Sequence, residues 1–237
     1  MIDTPEPMNE QTAKQPAKLR EKGRILSPSE IERTLVRLAH QVVEKNHGGA
    51  NLGLVGIKRR GVPLARRLAA LIQGIEKHPV DVGELDIEFY RDDLSTHDVR
   101  PVVHPGKIGF DVNGRNIILV DDVLYTGRTI RAALDALFHH GRPNRVQLLV
   151  LIDRGHRELP IEAGFVGRVV QTSRQEIIEV KLREVDGEEQ VLIVERVPDE
   201  RSEAGHAVSE SAQVGQAVRE PAERASTAFP DAKLEGH

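Results

Sequence analysis

Two adjacent carboxylates, Asp121 and Asp122, stand between an apolar run and a glycine-containing turn in the segment ILVDDVLYTGRTI, residues 118–130. The apolar run over residues 116–120 is typical of a strand buried on both faces. Ligands of open α/β sheets bind beyond the carboxyl ends of such strands. Paired carboxylates at that position can accept hydrogen bonds from the vicinal hydroxyl groups of a ribose. The order of strand, acid pair, turn and helix therefore predicts a sugar-binding site.

The turn after the acid pair can bind the phosphate of the same ligand. Its backbone N–H groups lie at the predicted start of a helix, where unpaired donors and the helix dipole favour an anion. Gly127 allows the backbone to approach the phosphate closely, and Thr126 and Thr129 add hydroxyl donors. The residues assigned to phosphate binding are Val123, Leu124, Tyr125, Thr126, Gly127, Arg128 and Thr129.

The same residues have a simpler interpretation, in which the acid pair caps a helix and Thr126–Gly127 forms an ordinary turn. We favour the ligand site because the strand, the acids, the turn and an amphipathic helix occur in the required order. The segment contains neither the GxxxxGK[ST] pattern of a Walker loop nor a dinucleotide-binding fingerprint.

A basic turn is the second candidate for anion binding. It consists of Lys58, Arg59, Arg60 and Gly61, and it separates a predicted strand over residues 51–57 from a predicted helix over residues 62–75. Successive N–H groups and cations at a strand end suit a polyanionic group. A solvated surface turn is the alternative, and the nearby acid-pair motif favours the anion site.

The remaining pattern indicates strands that alternate with helices. Ser27, Pro28 and Glu30 mark a helix start. A polar segment over residues 91–114 is long enough for a functional loop, with plain disorder as its alternative. Further strands are predicted over residues 84–90, 145–152, 166–172, 176–184 and 190–194, the last two as a hairpin across residues 186–187. This alternation predicts an α/β fold with a mainly parallel central sheet flanked by helices.

Bulk properties place these motifs in one soluble domain. The 237 residues carry a net charge of −4, which does not support an attraction of the whole chain to nucleic acid and does not exclude a local basic face. Cysteine is absent, which excludes disulfides and cysteine nucleophiles. We expect a flexible tail over residues 1–24, a domain over residues 25–197 and a disordered tail over residues 198–237. The beginning of the chain has no apolar stretch and no run is long enough to span a membrane, so we expect a cytoplasmic protein.

Four segments together resemble the PyrR family within the type I phosphoribosyltransferases. They are GIKRRGVPLARRLA (residues 56–69), YRDDLS (residues 90–95), DVNGRNIILVDDVLYTGRTIRAALDAL (residues 111–137) and VLIDRGHRELPI (residues 150–161). The segment DRGHRELP is more specific to that family than the acid pair. The resemblance implies the type I phosphoribosyltransferase fold with a mobile lid or hood.

The resemblance also implies a reaction. Members of this family join uracil to phosphoribosyl pyrophosphate (PRPP), which gives UMP and pyrophosphate, and they regulate pyrimidine operons through the messenger RNA leader. It implies that Asp121 and Asp122 bind the ribose, that Lys58, Arg59, Arg60 and Gly61 hold the pyrophosphate, and that Arg60 takes part in catalysis. It further implies Mg²⁺ carried by the substrate without dedicated protein ligands, Arg154 and Ile178 near the base, and a dimer or larger homo-oligomer.

The regulatory role implied by the resemblance depends on a basic face. The matching residues are Arg37, His40, Lys45, His156 and Arg157. Their alternative is a solvated helix face. This sequence departs from the family at Val36, where a hydroxyl residue is expected, and at Glu162, where arginine is expected, and an acid opposes contact with RNA phosphates.

The sequence also departs from the family pattern at Glu88 and at His104. A neutral histidine at position 104 weakens a phosphate contact from the lid, and we therefore expect a lower catalytic efficiency. Three hypotheses follow: an active uracil phosphoribosyltransferase that also binds RNA, a regulator that binds nucleotide without turnover, and a phosphoribosyltransferase for another base. The basic turn favours retained chemistry over the second, and DRGHRELP favours uracil over the third.

Overall fold

The computed structural model describes residues 19–87 and 107–197. The chain divides into two compact units, Met1–Val197 and Pro198–His237, and every described residue belongs to the first. The expected tail over residues 198–237 therefore lies outside the described residues. So do residues 1–18 and the segment 88–106, which contains Glu88, YRDDLS, His104 and most of the expected lid.

Eight strands and four helices follow one another in the described ranges. In chain order they are β1 (Leu19–Leu26), α1 (Pro28–Lys45), β2 (Leu52–Ile57), α2 (Gly61–Glu76), β3 (Asp81–Leu85), β4 (Asn116–Leu124), α3 (Arg128–Phe138), β5 (Arg145–Asp153), β6 (Phe165–Val169), β7 (Glu176–Lys181), α4 (Arg183–Asp186) and β8 (Gln190–Arg196). None of the helices in this part of the chain combines the length and apolarity needed to cross a membrane.

The central sheet has five parallel strands in the order β3-β2-β4-β5-β6, as the alternating sequence pattern predicted. Its middle strand, β4, is buried on both faces. Ile118 and Val120 pack into the core beneath α1 and α2, whereas Ile117 and Leu119 pack against α3. Because β2 and β4 are parallel, with Gly56 opposite Val120, the turns that follow them meet at one edge of the sheet.

A second, antiparallel sheet in the order β1-β8-β7 stands beside this edge. Ile178 and Val180 of β7 and Val191 of β8 are buried in the same core cluster as α1 and α2. We call this sheet, together with α4, the hood. The pairing of β7 with β8 confirms the predicted hairpin, but its connection contains the single-turn helix α4 rather than a tight turn across residues 186–187.

Several sequence predictions about element bounds are wrong. The strands predicted over residues 166–172 and 176–184 are shorter, since β6 ends at Val169 and β7 ends at Lys181. Residues 19–24, expected in a flexible tail, belong to β1, which is held to β8 by main-chain pairing although most of its side chains are exposed. β3 covers Asp81–Leu85, three residues earlier than the start of the strand predicted over residues 84–90, and residues 86–87 are not in a strand; residues 88–90 lie outside the described part of the chain. β4 continues through the acid pair to Leu124, because β5 pairs with it as far as Asp153.

Candidate active site

The two carboxylates lie near the end of β4, where the strand passes into the turn before α3. Asp121 is buried, with 6% of its surface exposed, and Asp122 is half-buried. The Asp122 N–H donates to Asp121 Oδ1 at 3.0 Å, and the Val123 N–H donates to Asp122 Oδ1 at 3.0 Å. These contacts fix both carboxylates against the backbone while both line the same cavity. The pair is therefore preorganised to accept hydrogen bonds from a ligand.

The turn from Tyr125 to Gly127 and the end of β4 are held in place by residues 154–161. The N–H of Arg154 donates to the Leu124 carbonyl at 3.1 Å, and the N–H groups of Glu158 and Leu159 donate to the Thr126 carbonyl at 3.0 and 3.1 Å. Gly127 adopts a left-handed φ of 94° directly before α3. Tyr125, Thr126, Gly127 and Thr129 line the cavity at this helix start, where backbone N–H groups and the helix dipole favour an anion.

Arg157 contacts this turn at Tyr125 and otherwise braces the segment 153–161 that supports it. Its guanidinium donates to the carbonyls of Ile161 at 3.0 Å, Tyr125 at 2.9 Å and Gly155 at 3.1 Å. It also donates to Asp153 Oδ2 at 2.5 Å. The family-specific segment DRGHRELP thus supports the phosphate turn. The sequence of the segment did not predict this role.

Removal of this support by Arg157→Met is expected to lower the free energy of unfolding by about 2 kcal/mol, because three carbonyls and one carboxylate lose a charged donor. Urea denaturation measures this loss. A matched control is Arg131→Met on α3, whose pair with Asp135 is 3.7 Å long and largely exposed; its expected change is below about 0.5 kcal/mol. Equal losses in the two variants would contradict the supporting role of Arg157.

The basic turn begins where β2 ends and leads directly into α2. A Cβ on Gly61 would stand 2.3 Å from the Val120 carbonyl oxygen, so only glycine allows the turn to pack this closely on β4. Arg60 reaches the hood, where its Nε and Nη2 donate to Asp186 Oδ2 and Oδ1 at 3.0 and 2.8 Å. The pKa of Arg60 is raised, first by these hydrogen bonds and, against the effect of burial, by the charge of Asp122.

A cavity of about 490 Å³ brings most of the predicted site residues together. From the acid pair, the phosphate turn and the basic turn, it is lined by Arg60, Asp121, Asp122, Val123, Leu124, Tyr125, Thr126, Gly127 and Thr129. Arg154 and Ile178, predicted near a base, line it as well, beside the hood residues Ile177 and Glu179. The cavity thus joins an acid pair, a helix start and two arginines, Arg60 and Arg154, within a single space.

Four residues predicted to bind the phosphate or the pyrophosphate do not line this cavity: Lys58, Arg59, Gly61 and Arg128. Lys58 pairs with Asp86 at 3.2 Å, and Lys58 and Arg59 line a separate, open depression of about 260 Å³. Arg128 is exposed and its Nε donates to Glu158 at 2.8 Å. Of the cations in the basic turn, Arg60 is therefore the one that reaches the cavity in this structure.

Arg154 connects the phosphate turn with the hood. Its guanidinium lies over the Tyr125 ring at 4.1 Å and donates to Thr172 Oγ1 at 3.2 Å and to the Glu176 carbonyl at 2.6 Å. Burial lowers its pKa from the ordinary value of arginine. Since the Nε and Nη2 groups are engaged with the protein, Nη1 is the part of this side chain that remains for a ligand.

The candidate RNA-binding residues occupy two separate places. Arg37, His40 and Lys45 are exposed on α1, where Arg37 donates to the Gly167 carbonyl at 2.6 Å and Lys45 lies over the Phe165 ring at 5.0 Å. The exposed His156 contacts the Thr172 carbonyl through Nε2 at 2.6 Å. Arg157, in contrast, is already committed to the supporting contacts described above.

Sequence reasoning missed the contribution of the hood. The strand that contains Ile177 and Ile178 was expected near the base, but Asp186 was predicted only as part of a turn and Glu179 only as part of a strand. These residues reach the site through contacts between positions more than 100 residues apart in the sequence, such as the pair of Arg60 with Asp186. The dipeptide Asp186–Gly187 contains no local signal for that pairing.

Comparison with known proteins agrees with this geometry. Residues 22–184 match the family described as "Phosphoribosyl transferase domain". The chain is 57% identical over 176 residues to "Bifunctional protein PyrR" of Pelotomaculum thermopropionicum, which covers 74% of this chain and 97% of that protein. It is 55% identical over 178 residues to the protein of the same name from Thermus thermophilus, covering 75% of this chain and 98% of that one.

Solved structures show the same fold at low sequence identity. A hypoxanthine phosphoribosyltransferase of Trypanosoma cruzi aligns with a TM-score of 0.58 and 15% identity over 75% of this chain and 98% of that one. A hypoxanthine phosphoribosyltransferase of Staphylococcus aureus aligns with a TM-score of 0.56 and 21% identity over 75% of this chain and 94% of that one. These similarities concern the fold and not the choice of base.

Proposed function

Because this chain belongs to the bifunctional PyrR family of phosphoribosyltransferase-domain proteins, we propose that it transfers phosphoribose from PRPP to uracil, giving UMP and pyrophosphate, and that it regulates pyrimidine genes by UMP-dependent binding of messenger RNA. The observation that supports this most directly is the cavity at the end of β4. There the acid pair, the phosphate turn and Arg60 surround a space of about 490 Å³.

The dimensions of this space suit a ribose 5-phosphate group. The phosphate lies against the N–H groups of the turn before α3 and the hydroxyl groups of Thr126 and Thr129. Asp121 and Asp122 accept hydrogen bonds from the ribose hydroxyls. Arg60 faces the acid pair from the neighbouring turn, where it contacts the departing pyrophosphate. Lys58, Arg59 and Gly61 complete that turn, with Lys58 and Arg59 available to the outer part of the pyrophosphate.

Catalysis in this arrangement comes from position and charge. As the bond from the ribose to pyrophosphate breaks, positive charge develops on the ring and negative charge on the leaving group. The two carboxylates stabilise the first and Arg60 stabilises the second, because charges fixed in a partly dehydrated site need no reorganisation during the reaction. When the site holds uracil next to the ribose carbon that it attacks, the bimolecular reaction becomes effectively unimolecular.

The residues of the site fit a magnesium ion carried by the substrate. Within residues 19–87 and 107–197, no group of three or more histidines or acids is placed to hold a metal ion by itself. Mg²⁺ that enters with PRPP would keep water and phosphate oxygens as its ligands, so the acid pair would remain available to the ribose hydroxyls. When bound, the ion neutralises charge on the pyrophosphate.

The hood supplies the candidate surface for the base. Uracil presents one N–H donor between two carbonyl acceptors, and backbone groups of a strand can match that pattern. The β7 residue Ile178 and the free Nη1 edge of Arg154 stand at this side of the cavity. Contacts from these groups would orient the ring toward the ribose.

RNA binding is assigned to the exposed basic side chains of α1 and to His156. Arg37, His40 and Lys45 share the solvent-facing side of α1 and can approach phosphates. Arg157 contributes by holding the segment that carries His156. The exposed Glu162 reduces the positive potential near it. We further propose a cytoplasmic homo-oligomer, a dimer or larger, whose catalytic domain extends from β1 to residue 197.

Competition among bases tests the proposed reaction. Purified protein with Mg²⁺ and PRPP is supplied with equal concentrations of uracil, orotate, hypoxanthine and guanine, and the nucleotides formed are separated by chromatography. UMP is expected as the main product. Formation of a different nucleotide in place of UMP would reassign the base, and PRPP binding without any product would indicate a regulator without turnover.

A further inference from the structure

The hood turn α4 places a carboxylate against the arginine of the basic turn. Asp186 receives two hydrogen bonds from the Arg60 guanidinium, at 3.0 and 2.8 Å, across 126 residues of sequence. Both side chains are mostly shielded, with 28% of Arg60 and 18% of Asp186 exposed. A bidentate pair of this kind defines the plane of the guanidinium as well as its position.

Asp186 is itself fixed before it meets Arg60. Its Oδ2 accepts the N–H of Leu182 at 2.8 Å, and its own N–H donates to the Leu182 carbonyl at 2.7 Å. The pKa of Asp186 lies below its ordinary value, chiefly because of the hydrogen bonds from Arg60. The carboxylate is therefore an ionised acceptor with a defined orientation, which the flexible arginine side chain lacks by itself.

The geometry leaves one edge of the guanidinium for a ligand. Arginine has five N–H donors, and Asp186 uses one on Nε and one on Nη2. The remaining donors include both on Nη1, and Arg60 lines the cavity that contains Asp121 and Asp122. An anion in the cavity can thus bind Arg60 without displacing Asp186.

We propose that Asp186 is a positioning residue that holds Arg60 in the orientation required for the pyrophosphate group. This inference rests on the proposed function, since it assigns pyrophosphate to the space before Arg60. Asp186 does not contact the substrate. Asp186 holds the Arg60 side chain in one orientation before pyrophosphate binds, and this lowers the loss of conformational entropy on binding.

A second set of ion pairs makes this role testable without loss of the hood. Arg67 of α2 donates to both carboxylate oxygens of Glu184 at 2.7 and 2.6 Å, and it also pairs with Glu189. These contacts join the hood to α2 independently of Asp186. Asp186→Asn, which retains the size of the side chain and one carbonyl acceptor, is therefore expected to fold with the hood in place.

Calorimetric titration compares two ligands in the wild type and in Asp186→Asn, at about 0.15 M salt, where the Debye length is near 8 Å. The affinity for pyrophosphate with Mg²⁺ is expected to fall roughly tenfold, because an oriented charged donor is lost. The affinity for UMP is expected to stay within about twofold, since UMP binds at the acid pair and the phosphate turn. The matched control Glu188→Gln removes a carboxylate that follows α4 and pairs with Lys181 at 2.9 Å, outside the cavity, and it is expected to leave both affinities unchanged.

Other outcomes overturn the inference. Tighter pyrophosphate binding in Asp186→Asn would mean that Asp186 competes for Arg60, because loss of a negative charge by itself favours an anion. An equal loss of affinity for pyrophosphate and for UMP would indicate that Asp186 only stabilises the hood. Unchanged affinities would show that Asp186 has no role in pyrophosphate binding. A failure of the proposed function would be seen differently, because the wild-type protein would then form no UMP from uracil and PRPP.

Discussion

Gly61→Ala is expected to lower kcat/KM for PRPP by about 100-fold, because a displacement of about 1 Å at a positioning element costs that much. The added Cβ would stand 2.3 Å from the Val120 carbonyl oxygen and 3.3 Å from Asp121 Cα. Both atoms belong to the buried backbone of the central strand, so neither can move aside cheaply. The turn that carries Arg60 must shift away from the acid pair instead.

The same substitution is expected to lower the free energy of unfolding by about 2 kcal/mol through overpacking. Activity is therefore measured well below the melting temperature, on protein shown to be folded by circular dichroism. Gly74→Ala is the matched control, since it lies in the same helix and an added Cβ meets nothing within 4 Å. It is expected to stabilise by about 0.5 to 1 kcal/mol without change in activity. Full activity in Gly61→Ala would contradict the packing argument.

Replacement of both carboxylates, Asp121→Asn with Asp122→Asn, is expected to lower kcat/KM for PRPP by roughly 10³-fold. The amides present N–H donors where ribose hydroxyls need acceptors, and they carry no charge to stabilise the ring as the bond to pyrophosphate breaks. The fold should survive, because the change removes two negative charges held close together. The initial rate at subsaturating PRPP measures the effect.

Asp135→Asn on α3 is the matched control for the acid pair. Its carboxylate is 53% exposed and pairs with Arg131 at the surface, so the expected change in rate is below about twofold. A double variant at the acid pair that retains the wild-type rate would assign the chemistry to another part of the chain.

The central part of the site could be predicted from the sequence because its signals are local. The buried strand, the acid pair, the glycine turn and the amphipathic helix are contiguous, and each is typical of its structure without reference to distant residues. The structure places these elements at one edge of a parallel sheet, and α2 extends one residue beyond its predicted range of 62–75 at each end. Arg60 reaches the same cavity because parallel pairing of β2 with β4 brings their ends together.

The hood could not be predicted in the same way. β1 was missed because its side chains are mostly exposed and polar, so its sequence has no apolar period, and main-chain pairing with β8 holds it in place. The contacts of Asp186 with Arg60 and of Arg157 with Tyr125 depend on the directions of long side chains. Sequence spacing contains no information about those directions, and so the supports of the site appeared only in the structure.

The most direct test of the central claim is the stoichiometry of product formation by the wild type. Purified protein, Mg²⁺, PRPP and labelled uracil are combined, and UMP and pyrophosphate are quantified together over time. Equal amounts of both products, dependent on uracil and absent from the double variant at the acid pair, are the predicted result. Protein that binds PRPP yet leaves uracil unconsumed would contradict the claim that this cavity catalyses phosphoribosyl transfer.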